Sequence, residues 1–478
     1  MRLKSLARNS FFNILYTLSN ILFPLITSMY IARILLSDGT GRVSAAQNTT
    51  SYFILLAALG LPTYGIREVS KSRNKKEDLD KVFSELFYIN FISTTIALVS
   101  YVMIVLFVGD YQKDIYLYLS TGLVLIFNYI NVEWFFQGEE DFKYITVRSL
   151  IVKIIIFIAT ILLVKSKNDY ILFALLNSIG TSGNYILSIF HIRKYVHLQF
   201  KNLNFKRHII TLLILAVGIF LSSIYNKIDI SMLNAFSTEE SIGLYSYAQR
   251  TVHVIITICI TISGTFLPRL SFYYKNDRES FLKLIDLGYK VLCLISIPCS
   301  VGLFIIAPEA MCLLYGKSFE AASTTIRILC FIIVIISFGN LFGYQLTICT
   351  ENEKYQLPVY TAAAMLNCFL NYYLIPKYFQ NGAAISSLAS ESVVAGVLSI
   401  IMIKKHHIQL DLRPLSQTMI ASLFMAIAVW GIKICFIGSL LMKTVLCVII
   451  GIVVYCGMNY LMKNELTMLI LQKVHKGL

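Results

Sequence analysis

Residues 145–164 read ITVRSLIVKIIIFIATILLV, an almost entirely apolar stretch that nevertheless carries Arg148 and Lys153. A helix of about 20 residues is about 30 Å long, which matches the hydrocarbon core of a bilayer. A stretch of this length with so few charges is typical of a transmembrane helix. The block therefore predicts one membrane span, with two cations inside it.

The rest of the chain has the same character. Of its 478 residues, 57% are hydrophobic and only 14% are charged, whereas soluble domains carry about 25% charged residues. The apolar residues form long blocks rather than the alternating segments of about 10 residues that build outer-membrane barrels. The sequence therefore predicts an all-α integral membrane protein of about 14 transmembrane helices. The spans are expected near residues 10–32, 44–66, 82–107, 115–136, 145–164, 169–191, 209–232, 241–267, 284–306, 320–349, 356–375, 381–403, 416–437 and 440–462.

The positive charge follows the predicted topology. The chain has 41 Lys and Arg against 26 Asp and Glu, a formal net charge of +15. With this number of spans both termini lie on one side, and that side carries most of the basic residues, including Arg2, Lys4, Arg8, Arg67, Lys71, Arg73, Lys75, Lys76, Lys81, Lys404 and Lys405. The positive-inside rule then places both termini in the cytoplasm. Topology accounts for most of the basic charge, so no nucleic-acid partner is expected.

The cysteines do not form a recognisable site. All ten lie in the second half of the chain and none forms a CxxC motif. We expect them to act as small apolar residues, with no disulfide framework, metal site or cofactor.

Two short sequence matches indicate an internal repeat. GRVSAAQ at 41–47 matches GLYSYAQ at 243–249 with an offset of 202, and EDFKY at 140–144 matches ENEKY at 351–355 with an offset of 211. An offset of six spans preserves orientation, so the repeats would be parallel. The sequence predicts an N-terminal six-helix lobe (1–200), a C-terminal six-helix lobe (201–405) and a terminal helix pair with a cytoplasmic tail (406–478). The alternative is chance similarity between short motifs.

Ionisable residues inside the predicted spans are the candidate functional residues. A charge in hydrocarbon costs about 3 kcal/mol, so such residues usually face a cavity or a partner. Basic residues outnumber acidic ones here: the cations are Arg148, Lys153, Lys227, Arg250 and Arg327, and the acids are Asp229 and Glu391.

A net positive cavity suits an anionic substrate, because desolvated Arg and Lys bind phosphate oxygens strongly. We therefore expect the five cations to bind substrate, with Lys227, Asp229, Arg250 and Arg327 in one layer. Asp229 and Glu391 are expected to serve coupling or ion pairing. Two simpler interpretations stay open: Lys227 could extend to the interface, and Asp229 with Arg250 could form a purely structural ion pair.

Several segments resemble bacterial oligosaccharide flippases of the Wzx-type polysaccharide-export family. They are KIDI at 227–230 with Glu240, Gly243, Tyr245, Ala248 and Arg250; GLPTYGIRE at 60–68; EWFFQG at 133–138; and LIP at 374–376 with Gly382, Ala383, Ala384 and Glu391. This family shares a superfamily with the multidrug and toxin extruders and the peptidoglycan lipid flippases. The resemblance implies two six-helix lobes in a V-shaped, MATE-like arrangement.

The resemblance also implies a function. The expected activity is alternating-access transfer of undecaprenyl-diphosphate-linked repeat units to the outer leaflet, in the bacterial cytoplasmic membrane. Arg250 is the residue carried over first. Membrane lipid is an expected partner, and a polysaccharide polymerase and glycosyltransferases are potential partners.

Two other functions compete with this interpretation. A multidrug or cation antiporter of the same superfamily would favour acidic residues in its cavity, and basic residues outnumber them here. A membrane polysaccharide polymerase or lipid-linked glycosyltransferase would be an enzyme, typically with a large outer loop or an acidic metal motif. The chain has no GxxxxGK[ST] phosphate loop, so it is not expected to be an ATPase. We expect a transporter rather than an enzyme.

Overall fold

The computed structural model describes residues 6–201, 203–469 and 472, and this part of the chain is helical, without strands. The all-α prediction is confirmed. The predicted cytoplasmic residues Arg2 and Lys4, and the end of the C-terminal tail, lie outside the described residues. The chain divides into two compact units, residues 1–234 and residues 235–478.

The first unit contains nine helices within the described residues. They are α1 (Leu6–Ala58), α2 (Leu61–Ser72), α3 (Lys76–Phe107), α4 (Gly109–Gln112), α5 (Ile115–Asn128), α6 (Glu133–Gly138), α7 (Phe142–Leu163), α8 (Tyr170–Ile192) and α9 (Lys206–Phe236), whose last residues enter the second unit.

The second unit continues with α10 (Glu239–Gly264), α11 (Leu267–Asn276), α12 (Arg278–Tyr315), α13 (Ala322–Phe338), α14 (Leu346–Cys349), α15 (Gln356–Lys405), α16 (Arg413–Cys435) and α17 (Leu440–Leu461). A π-helix, Gly339–Gln345, joins α13 to α14.

Each of the two long helices α1 and α15 contains two of the predicted spans. The backbone of α1 turns at Leu36, with φ of 59°, and that of α15 turns at Phe379, with φ of 50°. Both residues lie between predicted spans, so each long helix is two segments that meet at a kink. Ten helical stretches in the described part of the chain are long and apolar enough to cross a membrane, and α5 is a shorter apolar helix. The protein is therefore a multi-pass membrane protein.

The compact units do not end where the predicted lobes do. Leu212 of α9 belongs to the same apolar cluster as Leu61 and Phe83, and His208 of α9 bonds to Glu85 of α3 at 2.8 Å. These contacts tie α9 to the first unit, which therefore extends beyond residue 200. The organisation as six-helix lobes stays a prediction.

The terminal helix pair packs within the second unit rather than standing apart. The Tyr455 hydroxyl on α17 donates to the Leu294 carbonyl on α12 at 2.9 Å. Lys290 of α12 pairs with Glu465 at 2.5 Å. Met425 and Cys447 form a small apolar core between α16 and α17, against which residues of α12 pack.

A distinctive corner follows α6 in the first unit. Glu140 adopts a left-handed backbone with φ of 57°, and the Asp141 amide donates to the Phe136 carbonyl at 2.9 Å. The Glu140 carboxylate accepts from Arg73, just after α2, at 3.0 Å. The corner thus links the chain after α6 to the end of α2.

The second unit contains the same corner after α14. Glu351 has φ of 58°, the Asn352 amide donates to the Thr347 carbonyl at 2.7 Å, and Glu351 accepts from Lys275 of α11 at 2.8 Å. These are the residues that the sequence match at an offset of 211 pairs, so the two matched segments adopt the same local structure, while the repeat of whole lobes stays a prediction.

Candidate functional site

Helix α7 places two of the predicted cations at membrane depth. Its first turn is capped by Asp141, which accepts from the Tyr144 amide. Arg148 then lies about 9 Å along the helix and Lys153 about 16 Å, close to the middle of a helix about 33 Å long. Arg148 is 3% exposed and Lys153 is half-buried. The predicted depth of both residues is consistent with their place in the helix.

Arg148 is held by a carboxylate, a hydroxyl and an aromatic ring. Its Nη2 lies 3.3 Å from Glu133 Oε1, and its Nη1 donates to Ser188 Oγ on α8. The guanidinium carbon lies 5.3 Å from the centre of the Tyr144 ring. The Nε of Arg148 is buried and has no hydrogen-bond partner within the described residues.

Glu133 is a site residue that the sequence analysis did not assign. The span predicted at 115–136 is broken: α5 ends at Asn128, and Glu133 begins α6. Asn131 stabilises the break, because its Oδ1 accepts from the Glu133 amide at 3.3 Å and its Nδ2 donates to Asn128 Oδ1 at 3.0 Å. The Tyr16 hydroxyl donates to Glu133 Oε1 at 3.1 Å. The predicted excess of cations is therefore smaller, since Arg148 has a counter-charge.

Lys153 has neutral partners instead. Its Nζ donates to Ser19 Oγ at 3.1 Å and to Asn20 Oδ1 at 2.5 Å, and it lies 5.7 Å from the centre of the Tyr16 ring. These three α1 residues share one helix face, being three and four positions apart. Within the described residues no carboxylate lies within salt-bridge distance of Lys153.

These side chains form one polar cluster within the first unit, which we call the α7 cluster. It consists of Tyr16, Ser19, Asn20, Glu133, Arg148, Lys153 and Ser188. Two cations face one carboxylate, so the cluster carries a net positive charge and a surplus of hydrogen-bond donors. Such a group can bind an oxyanion, because guanidinium, ammonium and hydroxyl groups all donate to phosphate oxygens.

Lys227 and Asp229 lie near the end of α9, also in the first unit. Lys227 is half-buried, and its ammonium makes no hydrogen bond or ion pair within the described part of the chain. Asp229 is 5% exposed and lies within electrostatic range of Tyr52. The Tyr52 hydroxyl and Asn48 Nδ2 both bond to Ser231 Oγ, at 3.0 and 2.8 Å. Asp229 is thus set in a polar network.

The other three predicted residues lie in the second unit. The guanidinium of Arg250 lies 5.1 Å from the centre of the Tyr247 ring and has no ion pair or hydrogen bond among the described residues. Arg327 donates from Nε to the Phe304 carbonyl at 3.4 Å. Glu391 is half-buried in the second segment of α15, near Tyr360. The single layer of Lys227, Asp229, Arg250 and Arg327 stays a prediction.

The helices define a multi-pass membrane protein with a MATE-like fold. The structure of the lipid II flippase MurJ in its inward closed conformation matches with a TM-score of 0.77 at 17% identity, covering 96% of this chain and 99% of that one. An inward-facing multidrug resistance MATE family transporter matches with a TM-score of 0.63 at 16% identity, covering 81% and 94%. These likenesses establish the fold.

The family follows from the sequence comparison. The chain belongs to the family described as "Polysaccharide biosynthesis protein", whose model matches residues 6–273. A protein of Escherichia coli strain K12, named putative O-antigen transporter, is 24% identical over 400 residues, which cover 82% of this chain and 96% of that protein. The resemblance to polysaccharide exporters is confirmed.

Proposed function

We propose that this protein is a flippase that moves undecaprenyl-diphosphate-linked oligosaccharide repeat units from the inner to the outer leaflet by alternating access. The transported units serve the assembly of a surface polysaccharide of the capsule, O-antigen or teichoic-acid type. The observation that carries the proposal is the α7 cluster, which holds two cations and a surplus of donors at membrane depth. The family and the E. coli O-antigen transporter relative support the same class of substrate.

The chemistry of the substrate explains the need for such a cluster. A diphosphate cannot cross hydrocarbon unaided, whereas a polyprenyl tail is soluble in hydrocarbon. Arg148 and Lys153 are proposed to bind the phosphate oxygens, assisted by Lys227, Arg250 and Arg327 as the substrate moves. Asn20 and Ser19 would bond the first sugar or the remaining phosphate oxygens. Asp229 and Glu391 are proposed to couple transport to an ion or to balance the cations.

The proposed role also implies a localisation and a set of partners for the protein. We place it in the bacterial cytoplasmic membrane with both termini in the cytoplasm, because the loops on that side carry most of the Lys and Arg. Transport requires no covalent step, so the protein is proposed not to be an enzyme. A polysaccharide polymerase and glycosyltransferases are its proposed functional partners.

A multidrug or cation antiporter is the second candidate, favoured by the structural match to a MATE transporter. The charge of the α7 cluster argues against it, since two cations facing one carboxylate would repel a cationic drug. The two functions predict opposite substrates for the same protein.

Reconstituted protein distinguishes the candidates. Liposomes containing the protein and a fluorescent undecaprenyl-diphosphate oligosaccharide are expected to move the label between leaflets. The double variant Arg148→Gln with Lys153→Gln is expected to lose this transfer, whereas Lys275→Gln, which removes an exposed charge from α11, retains it. Absence of transfer by the wild type, together with efflux of a cationic dye from the same vesicles, would reject the flippase.

A further inference from the structure

We propose that Glu133 is an exchangeable counter-ion: it neutralises Arg148 when the site is empty, and the substrate diphosphate displaces it. This inference rests on the proposed function and adds how the same site is regulated. Glu133 would then not bind substrate but compete with it for Arg148. The argument uses exposure, connectivity and charge within the first unit.

The exposures of the two side chains give the direction of access. The Arg148 side chain is 2% exposed, whereas that of Glu133 is 24% exposed. The other side of the guanidinium is occupied by Ser188 and by the Tyr144 ring. An incoming phosphate therefore reaches Arg148 by taking the place of the Glu133 carboxylate.

The backbone positions of the two residues also indicate that Glu133 is the one that moves. Arg148 lies inside the 22-residue helix α7, whereas Glu133 is the first residue of the six-residue helix α6, directly after the irregular segment 129–132. A side chain at such a break can shift without disturbing a helix. The arginine is thus the fixed member of the pair and the glutamate is the member that moves.

Tyr16 provides a second partner for the displaced carboxylate. Its hydroxyl donates to Glu133 Oε1 at 3.1 Å, and its ring lies 5.7 Å from the Lys153 ammonium. Arg148 and this hydroxyl share Oε1 in the paired state, so when phosphate occupies Arg148 the carboxylate loses its charged partner and its hydrogen bond from Tyr16 strengthens. Tyr16 therefore lowers the cost of displacement.

Electrostatics explains why an exchangeable counter-ion is useful to a transporter. A buried guanidinium without a counter-charge is strongly unfavourable, and a permanently unpaired one would hold a diphosphate too tightly to release it. A carboxylate that returns to Arg148 stabilises the empty site and promotes release. The counter-ion therefore lowers the affinity of the site for the diphosphate and raises the rate of transport.

The substitution of Glu133 is predicted to change binding in the opposite direction to the substitutions of Tyr16 and Arg148. Glu133→Gln removes the competing charge, so undecaprenyl diphosphate should bind about tenfold more tightly, and transfer at saturating substrate should slow. Tyr16→Phe keeps the ring beside Lys153 but removes the second partner of the carboxylate, so binding should weaken severalfold. Arg148→Gln should weaken binding of the same lipid by at least about tenfold.

The experiment measures binding of undecaprenyl diphosphate to purified full-length protein in lipid nanodiscs, with thermal unfolding recorded for each variant. Glu140→Gln, which removes a carboxylate from the exposed pair with Arg73, is the matched control and should bind like the wild type. Weaker or unchanged binding by Glu133→Gln, or unchanged binding by Tyr16→Phe, would overturn the exchange while leaving the flippase intact. No binding by the wild type would remove the flippase proposal together with this inference.

Discussion

The carboxylate of Glu309, on α12, lies 2.9 Å from the ammonium of Lys433, on α16. Both side chains are largely buried, and Lys433 also donates to the Ile305 carbonyl at 2.7 Å. Lys443 at the start of α17 approaches the same carboxylate at 4.0 Å. One acidic residue thus joins both terminal helices to α12.

We expect Glu309→Gln to destabilise the second unit. Removing one member of a buried pair leaves Lys433 without its counter-charge, which costs about 3 to 5 kcal/mol when burial is complete and less for a pair that retains some exposure. Thermal unfolding in detergent should show a clearly lower midpoint. Glu279→Gln, which breaks an exposed pair with Lys283, should leave the midpoint unchanged. Equal midpoints for the two variants would show that Glu309 does not hold the terminal helices.

A second prediction concerns the close approach of the π-helix to α15. A Cβ added at Gly339 would lie 2.5 Å from the Ala395 Cβ and 3.0 Å from its Cα, too close for two packed helices. Gly339→Ala should therefore cost about 1 to 3 kcal/mol through overpacking. Gly396→Ala is the matched control, because nothing lies within 4 Å of its added Cβ, and it should be neutral or slightly stabilising. Unfolding midpoints of the pair provide the check, and a loss for Gly396→Ala alone would contradict the packing argument.

A third prediction concerns the buried carboxylate of Glu85. It is fully buried and accepts from the Asn204 amide at 2.7 Å, from Arg207 Nε at 3.0 Å and from His208 at 2.8 Å. Glu85→Ala should therefore release the segment that leads into α9, because three donors lose their acceptor. Limited proteolysis should then cleave near residues 203–205, where the wild type should resist.

Glu68→Ala is the control for that experiment. Glu68 pairs with Arg67 and Lys71 near the end of α2, and these two basic side chains are themselves well exposed. Its removal should leave the protease pattern unchanged. Cleavage in both variants would mean that the segment is not held by Glu85.

A fourth prediction concerns Arg250. Because its guanidinium lies against the Tyr247 ring and makes no ion pair or hydrogen bond in the described part of the chain, Arg250→Ala should lower neither folding nor membrane abundance. Surface polysaccharide in a complemented deletion strain should nevertheless fall to background. Arg269→Ala, at an exposed position on α11, should leave export intact. Normal export by Arg250→Ala would remove this residue from the proposed site.

The sequence predicted the spans well because hydropathy measures the property that the bilayer selects. It failed at the break between Asn128 and Glu133, since Val132 and Trp134 keep the block apolar on both sides. The break depends on hydrogen bonds of Asn131, which hydropathy does not measure. The counter-charge of Arg148 was missed for the same reason.

The composition of the site was only partly predictable. Arg148 and Lys153 could be found because charges within an apolar block are conspicuous. Their partners Tyr16, Ser19 and Ser188 are ordinary membrane-helix residues, remote in sequence, and become informative only when the helices pack. An Asn-rich segment ending in a glutamate, as at 128–133, was the available signal for the missing residue.

The two corners at Glu140 and Glu351 differ in their spacing from the basic residues that contact them. Arg73 and Lys275, which contact them, are 202 residues apart, whereas the glutamates themselves are 211 apart. A difference of nine residues between α11 and the second corner accounts for both offsets, and α12, with 38 residues, is longer than α3, with 32. Most of the extra length is thus helical, so α12 extends about 9 Å further along its own axis than α3 does.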